Sequence, residues 1–426
     1  NKDGTEAFGF VPPNLWPRIF NLWNRGGQDP EPDRFKWLLA SSPRVEDIPP
    51  TYTPGSWRTH LMLPMGPYGK HFVALDITSP STCSSVSCTN NNPPFRIEAH
   101  SSELNMETTL GETWSVPVYY YTYPSAESPA AEVAMGSGYG TGDQGSYYNR
   151  LAKIYGDKSA RLQSGSGATV DYGVLADTAA ATDESMGRRI IATYQGDLNG
   201  RVVRFDEGNP MVGTSIIKGG AANPIYHSPA LSHQGNKEVV IAAVSGSDRE
   251  MDPAPYTESS LYLRSEKDGT VSVVDHNITC KVSDICSMAP GCPDSVPSSC
   301  SAPSSSATPV GPPLLVNNNP AAGVFQLEVF YLMYDPPQDV CGVGDSYLLR
   351  MSTNKDKQGL VSITKYAGVR ATGMALAGAG LDLAIAKVGA GTEKASVFTV
   401  SNAIANQGGL ATPPVVEVWR EVRNNR

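Results

Sequence analysis

Apolar and polar residues alternate along most of this chain with the two-residue period of β-strands. Short runs rich in Val, Ile, Tyr and Phe are separated by turn clusters such as Gly66-Pro67, Asn199-Gly200 and Lys267-Asp268-Gly269. Many short strands divided by Gly, Pro and Asp predict an all-β fold: a sandwich, a barrel or a propeller. The predicted strands are 57–64, 71–78, 94–100, 114–123, 131–136, 190–193, 201–206, 238–245, 260–264, 271–274, 324–334, 346–351, 361–366 and 415–422.

The order of these strands favours a propeller over a sandwich. Runs 42–47, 57–64, 71–78 and 94–100 make four consecutive strands over about sixty residues, the length of a propeller blade with long loops. The same rhythm returns at 224–231, 238–245, 260–264 and 271–274. The blades are not alike in sequence, so no repeat establishes the fold by itself. We expect one irregular propeller domain over residues 1–426.

Two segments interrupt the strand rhythm. Residues 143–162 place Tyr147, Tyr148, Leu151, Ile154 and Tyr155 at helical spacing and predict one short amphipathic helix packed on the propeller. Residues 280–313 are dense in Ser, Pro and Cys and poor in large apolar residues, so they cannot build a core of their own. They predict an exposed, disulfide-stapled loop, and such loops often carry binding specificity.

Composition and charge exclude some classes of function. The 426 residues include 33 Lys and Arg against 42 Asp and Glu, a net charge of −9, whereas nucleic-acid readers usually show a basic face. The most apolar stretch, 371–388, is interrupted by Asp382 and Lys387 and is rich in Ala and Gly, so no membrane span is predicted. The first residue is Asn1, which suggests a removed signal or a piece of a longer protein.

The cysteines predict disulfides and export. None of the 7 lies in the tight C-x-x-C pairing that metal sites need, and the only His near the main cluster is His276. We expect Cys83 and Cys88 to form a local bridge around a short tip. We expect the remaining cluster to pair internally or with Cys341, so that reduction loosens the insert without unfolding the propeller. That cluster comprises Cys280, Cys286, Cys292 and Cys300; because 7 is odd, one thiol is free or pairs outside this chain.

The sequence contains no convincing catalytic set. His227 and His233 are six residues apart, but Pro229 argues against a continuous strand between them. The pattern G-x-S-x-G does not occur, and the Gly-rich run 136–140 lacks the Lys-Ser/Thr ending of a phosphate loop. Asn277-Ile278-Thr279 matches the N-glycosylation pattern, which alone is a weak signal.

One acidic stretch is a candidate calcium loop. Asp177, Asp183 and Glu184 could supply carboxylate ligands, but Ala and Thr occupy the positions between them, where a calcium loop alternates Asp and Asn. A solvated acidic loop is the competing interpretation. We expect either no calcium or weak binding.

Several short sequence strings follow one another along almost the whole chain. In that order they resemble the C-terminal β-propeller of the PilY/PilC-type tip adhesins of bacterial type IV pili. Residues 66–78 correspond to the family's G-x-G-x-x-Y-x-A-L-D-x-T, and residues 194–206 to its Y-A-G-D-L-x-G-N-x-W-R-F-D, with the Trp replaced here by Val203. The strings are F-G-F-V-P-P at 8–13, L-W-P at 15–17, S-S-P-R-V-E-D at 41–47, W-R-T at 57–59, G-P-Y-G-K-H-F-V-A-L-D-I-T at 66–78, L-G-E-T-W-S-V-P at 110–117, Y-Q-G-D-L-N-G-R-V-V-R-F-D at 194–206, C-G-V-G-D-S-Y-L at 341–348 and V-W-R-E-V at 418–422.

The resemblance implies an all-β, irregular propeller of about seven blades without enzymatic activity. It implies a place at the pilus tip, outside the cell after export through the periplasm, where the propeller seats on minor pilins. There it supports pilus assembly, adhesion to a host or abiotic surface, and twitching motility. The family's calcium loop, rich in alternating Asp, would fall at 177–187, where most of those positions are Ala or Thr. The string F-G-F-V-P-P ends the first blade in the family, so the chain resembles the C-terminal part of a larger protein.

Two other functions remain open from the sequence. A quinoprotein-like oxidoreductase would share blade strings of the A-L-D and W-R-F-D kind, but it needs Trp residues stacked on a quinone, and the 6 Trp show no such grouping. A carbohydrate-binding propeller would act without any pilin partner. The residues that contact a partner cannot be named from the sequence.

Overall fold

The structure is a computed structural model. Its description covers residues 10–12, 15–16, 19–20, 41–48, 58–66, 69–78, 96–100, 110–125, 128–136, 138, 150–155, 160–165, 176–183, 189–206, 209–220, 222–234, 238–246, 258–267, 270–317, 327–337, 342–352, 359–377, 382–388 and 396–400.

The chain divides into two compact units, Asn1–Ser228 and Pro229–Arg426. Nearly all of the described secondary structure is strand, which confirms the predicted all-β class. The strands of the first unit are β1 Arg44–Ile48, β2 Arg58–Pro64, β3 Phe72–Asp76, β4 Arg96–His100, β5 Val118–Ser125, β6 Ser128–Gly136, β7 Arg150–Tyr155, β8 Ala160–Gly165, β9 Ala179–Asp183, β10 Arg189–Gly196, β11 Arg201–Asp206 and β12 Asn209–Lys218.

The second unit continues the same pattern. Among the described residues it also contains a 3-10 helix, Val282–Asp284, directly after β16. Its strands are β13 Ala230–Gln234, β14 Glu238–Val244, β15 Ser260–Lys267, β16 Thr270–Lys281, β17 Thr308–Pro309, β18 Leu314–Asn317, β19 Leu327–Asp335, β20 Asp345–Ser352, β21 Gly359–Tyr366, β22 Arg370–Ala377, β23 Asp382–Val388 and β24 Ser396–Val400.

Within the described ranges, the strands form six antiparallel groups: β1–β4, β5–β8, β9–β12, β13–β16, β17–β21 and β22–β24. Each is a meander of consecutive strands except the fifth, in which β17 and β18 both pair with β19. The first and the fourth are the two four-stranded groups that the sequence predicts, although β13 begins later than expected. The second and third share one eight-stranded sheet, because β10 pairs with β5 and β12 pairs with β8 in parallel. The expected count of about seven blades and the single domain over 1–426 stay predictions.

The predicted helix at 143–162 is wrong over the part that the structure describes. β7 and β8 run through it as an antiparallel hairpin, and β7 also pairs with β6. Six-residue runs are too short to separate a 3.6-residue period from a 2-residue period, and Leu151, Ile154 and Tyr155 fit both. The pairing partner in β6 decides the outcome, and the sequence of the segment does not contain that information.

The core follows from strands that are apolar on both faces. β14 is buried and apolar from Val239 to Val244, and β19 is buried and apolar from Val329 to Met333. Continuous apolar strands of this kind are typical of sheets packed on both sides. The largest cluster of buried residues joins β14, β15 and β16 to β19, β20 and β21 within the second unit.

The described residues contain no helix with the length and hydropathy needed to cross a bilayer.

Candidate functional site

The disulfide-stapled segment between β16 and β17 is the candidate partner surface. Two bridges close it, Cys280–Cys292 and Cys286–Cys300, with sequence separations of 12 and 14. The bridges overlap along the chain, so residues 286–292 lie within both closed loops. This confirms the prediction that the four cysteines pair among themselves. Cys83, Cys88 and Cys341 lie outside the described residues, so the local Cys83–Cys88 bridge stays a prediction.

The segment is less exposed than its composition predicts. Cys280, Val282, Ile285 and Ala307 are buried in the main cluster of the second unit, and the other three bridged cysteines pack against that cluster. Backbone bonds add to this, since Leu360 donates its N–H to the Ser295 carbonyl at 2.9 Å. The segment is therefore the expected disulfide-stapled loop, but only part of it is exposed, because small apolar side chains such as Val282 and Ala307 pack into the buried cluster of the second unit.

The outer face of the segment is built from small polar residues. Asp335, at the end of β19, accepts hydrogen bonds from the Ser304 backbone N–H at 3.0 Å and from both the Ser304 and Ser306 hydroxyls. Met288 is the large apolar side chain on this face, 58% exposed. The segment therefore presents one exposed large apolar residue among mostly small and polar ones.

The glycosylation pattern at 277–279 lies in a strand rather than a loop. Asn277 and Thr279 are part of β16, opposite Arg264 and Tyr262 of β15. The Thr279 hydroxyl accepts a hydrogen bond from the Arg264 guanidinium, which also donates to the Ile278 carbonyl at 2.5 Å. N-glycosylation acceptor sites usually lie in surface loops, whereas this one lies in a paired strand.

The structure does not bring the calcium candidates together. Asp177 precedes β9, its carboxylate accepts the Val116 backbone N–H at 2.7 Å, and Asp183 is the last residue of β9. A five-residue strand spans roughly 13 Å, whereas ligands of one calcium ion lie about 2.5 Å from it. The backbone positions of Asp177 and Asp183 therefore do not converge as those of a tight calcium loop would, Glu184 lies outside the described residues, and the calcium candidates stay a prediction. Among the residues that are described, no group of three or more His, Cys, Asp or Glu could hold a metal ion.

The histidines do not form a catalytic set in the described ranges. His60 stands in β2 directly opposite Glu46 of β1 and Asp76 of β3. Its ring packs edge-on against Tyr119 at 6.4 Å between centroids. His227, half-buried, follows β12 and lies outside any strand.

The strings G-P-Y-G-K-H and L-G-E-T-W meet at Thr113. Its hydroxyl, buried, accepts the Met65 backbone N–H at 2.9 Å and donates to the His71 carbonyl at 2.9 Å. Its backbone closes the same loop, donating to the Gly69 carbonyl at 2.9 Å and accepting from the Gly66 N–H at 3.0 Å. One threonine therefore joins two strings that lie more than forty positions apart.

Replacing Thr113 with valine is expected to destabilise the first unit by about 1–3 kcal/mol, because the loop loses a buried donor and acceptor while the volume is kept. Thr113→Ser, which keeps the hydroxyl, is the matched control and should cost clearly less. Urea unfolding followed by tryptophan fluorescence measures both. Equal losses for the two variants would contradict the role given to the hydroxyl.

The string Y-Q-G-D-L-N-G-R forms the tight turn between β10 and β11. The Asp197 carboxylate, 1% exposed, accepts the backbone N–H groups of Asn199 at 3.0 Å and Arg201 at 2.8 Å. It also accepts the Arg201 Nε–H at 2.7 Å. Gly200 adopts φ +68°, and a Cβ there would lie 2.4 Å from the Asn223 carbonyl oxygen. Asp197 and Gly200 are therefore required by turn geometry.

The Asp197 turn predicts a pH-dependent stability. Burial raises the pKa of Asp197 from 3.8 to about 6, against the lowering effect of Arg201 and the backbone hydrogen bonds. A raised folded-state pKa means that the folded protein holds the proton more tightly, so this contribution is complete below about pH 4 and is lost as pH rises through about 6. Urea midpoints measured from pH 4 to 7 should show this fall, and Asp197→Asn should flatten it. Asp294→Asn, at an exposed carboxylate, should keep the wild-type profile; an unchanged profile in Asp197→Asn would refute the assignment.

In the string C-G-V-G-D-S-Y-L, Asp345 and Ser346 likewise hold a turn, the one between β21 and β22. The Ser346 hydroxyl donates to the Val369 carbonyl at 2.6 Å and accepts the Ala371 N–H at 2.9 Å. Asp345 accepts the Gly368 N–H at 2.8 Å and pairs with Lys365 at 2.7 Å, and the hydrogen bond from Lys365 holds the pKa of Asp345 below its usual value. The described residues of this string, like those of the two before it, hold turns between strands.

Comparisons with known proteins decide the fold. No protein-family model matches the sequence, and no curated protein matches it. The C-terminal domain of PilY1 from Pseudomonas aeruginosa matches in structure over 93% of this chain and 89% of that domain, with a TM-score of 0.53 and 15% sequence identity. The fold is that of the PilY1 C-terminal propeller. The predicted β-propeller is thus confirmed, and so at the level of the fold is the resemblance to the PilY/PilC-type propellers.

Two other solved structures match this chain with lower TM-scores. The GH93 α-L-arabinofuranosidase of Fusarium graminearum covers 86% of this chain and 96% of its own, with 10% identity and a TM-score of 0.34. Sqt1 of Chaetomium thermophilum, bound to the N-terminus of ribosomal protein L10, covers 76% of this chain and 78% of its own, with 12% identity and a TM-score of 0.34. At these scores neither similarity supports an argument about function.

Three features of this protein are not predicted from its sequence. The turn role of Asp197 is not separated from the rest of its string, although Asp followed by Gly three residues later is a turn signal. Thr113 is not identified, because its partners lie in a distant string. Met288 is not identified, since nothing in the sequence marks a methionine as exposed.

Proposed function

We propose that this chain is the non-catalytic propeller of a type IV pilus tip protein, exported through the periplasm and seated on minor pilins. In that position it supports pilus assembly, adhesion to a host or abiotic surface, and twitching motility. The observation that carries the proposal is the structural match to the PilY1 C-terminal domain over 93% of the chain. The ordered strings of the sequence point to the same family independently of the coordinates.

The disulfides support the exported location. Cys280–Cys292 and Cys286–Cys300 close loops within one segment, and such bridges form and persist in oxidising compartments. The excess of acidic residues, 42 against 33 basic ones, argues against nucleic acid as a partner.

The use of the string residues supports a non-catalytic role. Thr113, Asp197 and Ser346 could each act chemically in another setting, but here their polar atoms are engaged in closing turns. A catalytic group must be free to contact a reacting atom. Two alternatives can be tested separately. Bound quinone in an absorbance scan would favour a quinoprotein-like oxidoreductase, and binding on a glycan array without any pilin partner would favour a carbohydrate-binding propeller.

A direct binding measurement tests the proposal. The purified chain is passed over immobilised minor pilins and, as control, over the major pilin of the same fibre. Saturable binding to the minor pilins alone is the expected result. Absence of binding, together with unchanged surface piliation and twitching in cells that lack this part of the gene, would rule the proposal out.

A further inference from the structure

One residue of the stapled segment combines exposure with a strained backbone. Met288 is 58% exposed, and among the described residues it is the single non-glycine residue with a positive φ, 51°. An L-residue in this region costs energy and persists where the surroundings impose it. An apolar side chain held this way in water is not explained by packing, because more than half of its surface contacts none of the protein.

The surroundings that impose this conformation are on both sides of Met288. Cys286 and Cys292 bracket the turn and belong to different bridges. Ser287 donates both its N–H at 2.9 Å and its hydroxyl at 2.6 Å to the Asp284 carbonyl. The Cys292 N–H bonds to the Ala289 carbonyl, and the Thr279 N–H bonds to the Gly291 carbonyl, each at 2.9 Å. The turn 286–291 therefore displays Met288 with little backbone freedom to lose on binding.

The composition around the turn indicates what kind of partner it fits. From Lys281 to Cys300 there is no aromatic residue and no Arg, which are the side chains that stack on sugars or fork onto phosphates. The charged residues of this stretch are Lys281, Asp284 and Asp294, a net charge of −1 that does not favour an anionic lipid surface. An apolar centre within a polar rim is the anatomy of a protein–protein contact, and the flexible thioether of Met adapts to apolar pockets.

We propose that the turn 286–291 is a protein-docking knob, in which Met288 inserts into an apolar pocket on a minor pilin. The proposal rests on the proposed function for the identity of the partner. It assigns the contact to one side chain, which the fold comparison does not.

Variants at Met288 test the knob in the binding assay with immobilised minor pilins. Met288→Asp places a charge where the pocket would receive the apolar side chain, and Met288→Gly removes the side chain while also relieving the positive φ. Each is expected to weaken binding by about tenfold or more. Met288→Gly should do so without lowering the thermal midpoint, which separates a lost contact from a lost fold. Val343→Asp, at another exposed apolar residue of the same unit, 40% exposed, is the matched control and should bind within about twofold of the wild type.

The outcomes separate this inference from the proposed function. If the wild-type chain binds minor pilins and both Met288 variants bind equally well, the knob is refuted and the proposed function stands. If the wild-type chain binds no minor pilin, both fail. Equal weakening by Val343→Asp would also overturn the knob, because the effect would then follow from surface charge alone.

Discussion

Replacing Asp197 with alanine is expected to lower the free energy of unfolding of the first unit by about 3–5 kcal/mol at pH 7.5, the cost of breaking a buried ion pair by removing one partner. The Arg201 guanidinium, whose side chain is 10% exposed, would stay buried beside the vacated position. The backbone N–H groups of Asn199 and Arg201 would lose their acceptor in the same step. Three hydrogen bonds and one ion pair depend on this carboxylate. Few other single substitutions in the unit should therefore lower the free energy of unfolding as much.

A graded series separates the two roles of Asp197. Asp197→Asn keeps an oxygen acceptor for the backbone N–H groups and removes both the charge opposite Arg201 and the cost of burying that charge, which the raised pKa of Asp197 reflects, so it should cost clearly less than Asp197→Ala. Asp294→Asn removes an exposed carboxylate and should change stability by less than about 0.5 kcal/mol. Urea unfolding gives all three values. If Asp197→Ala lost no more than Asp294→Asn, the turn would not depend on the carboxylate.

Removing the Cys280–Cys292 bridge by a double alanine substitution is expected to cost about 3 kcal/mol from loop entropy, and more from packing. The entropic contribution of a bridge comes from restricting the unfolded chain. It should be almost the same for the two bridges, because their sequence separations are 12 and 14. The packing part differs. Cys280 is 1% exposed within the main cluster of the second unit, whereas Cys286 and Cys300 pack only against its edge.

The matched control is the double alanine variant of Cys286 and Cys300. It should cost about 3 kcal/mol and leave the second unit folded at 25 °C, as expected from sequence for an insert that can be loosened. The Cys280–Cys292 variant should shift the thermal midpoint further down and expose the cluster to a hydrophobic dye. Identical midpoints for the two variants would mean that loop entropy accounts for both bridges and that burial of Cys280 contributes nothing.

The sequence predicted the strands well where their own composition decides them. β11 begins and ends at the predicted residues, and the four strands of the first meander were predicted in order. These runs are rich in Val, Ile, Leu and Phe, so local propensity and burial point the same way. β22 and β23 were not predicted, since their Ala- and Gly-rich sequences carry little strand propensity and take their conformation from pairing.

The candidate surface was predicted in outline only. The Cys, Ser and Pro content of 280–313 indicated a stapled segment, but four cysteines allow three pairings, and spacing cannot choose among them. The choice of Cys280–Cys292 and Cys286–Cys300 depends on which sulfur atoms the folded chain places within bonding distance. For the same reason the sequence does not show that β9 separates the backbone positions of Asp177 and Asp183, which are close in sequence.

The sequence by itself determined the all-β class, the propeller rhythm and the turn-forming strings of this protein, because strand alternation and turn chemistry act over a few neighbouring residues. Only the tertiary structure decided that 150–155 and 160–165 are paired strands, that Thr113 joins two distant strings, and that Met288 stands exposed on a strained turn. Each of these depends on a partner far away in the chain. A short segment that is compatible with two conformations adopts the one whose hydrogen bonds and buried surface the rest of the fold completes.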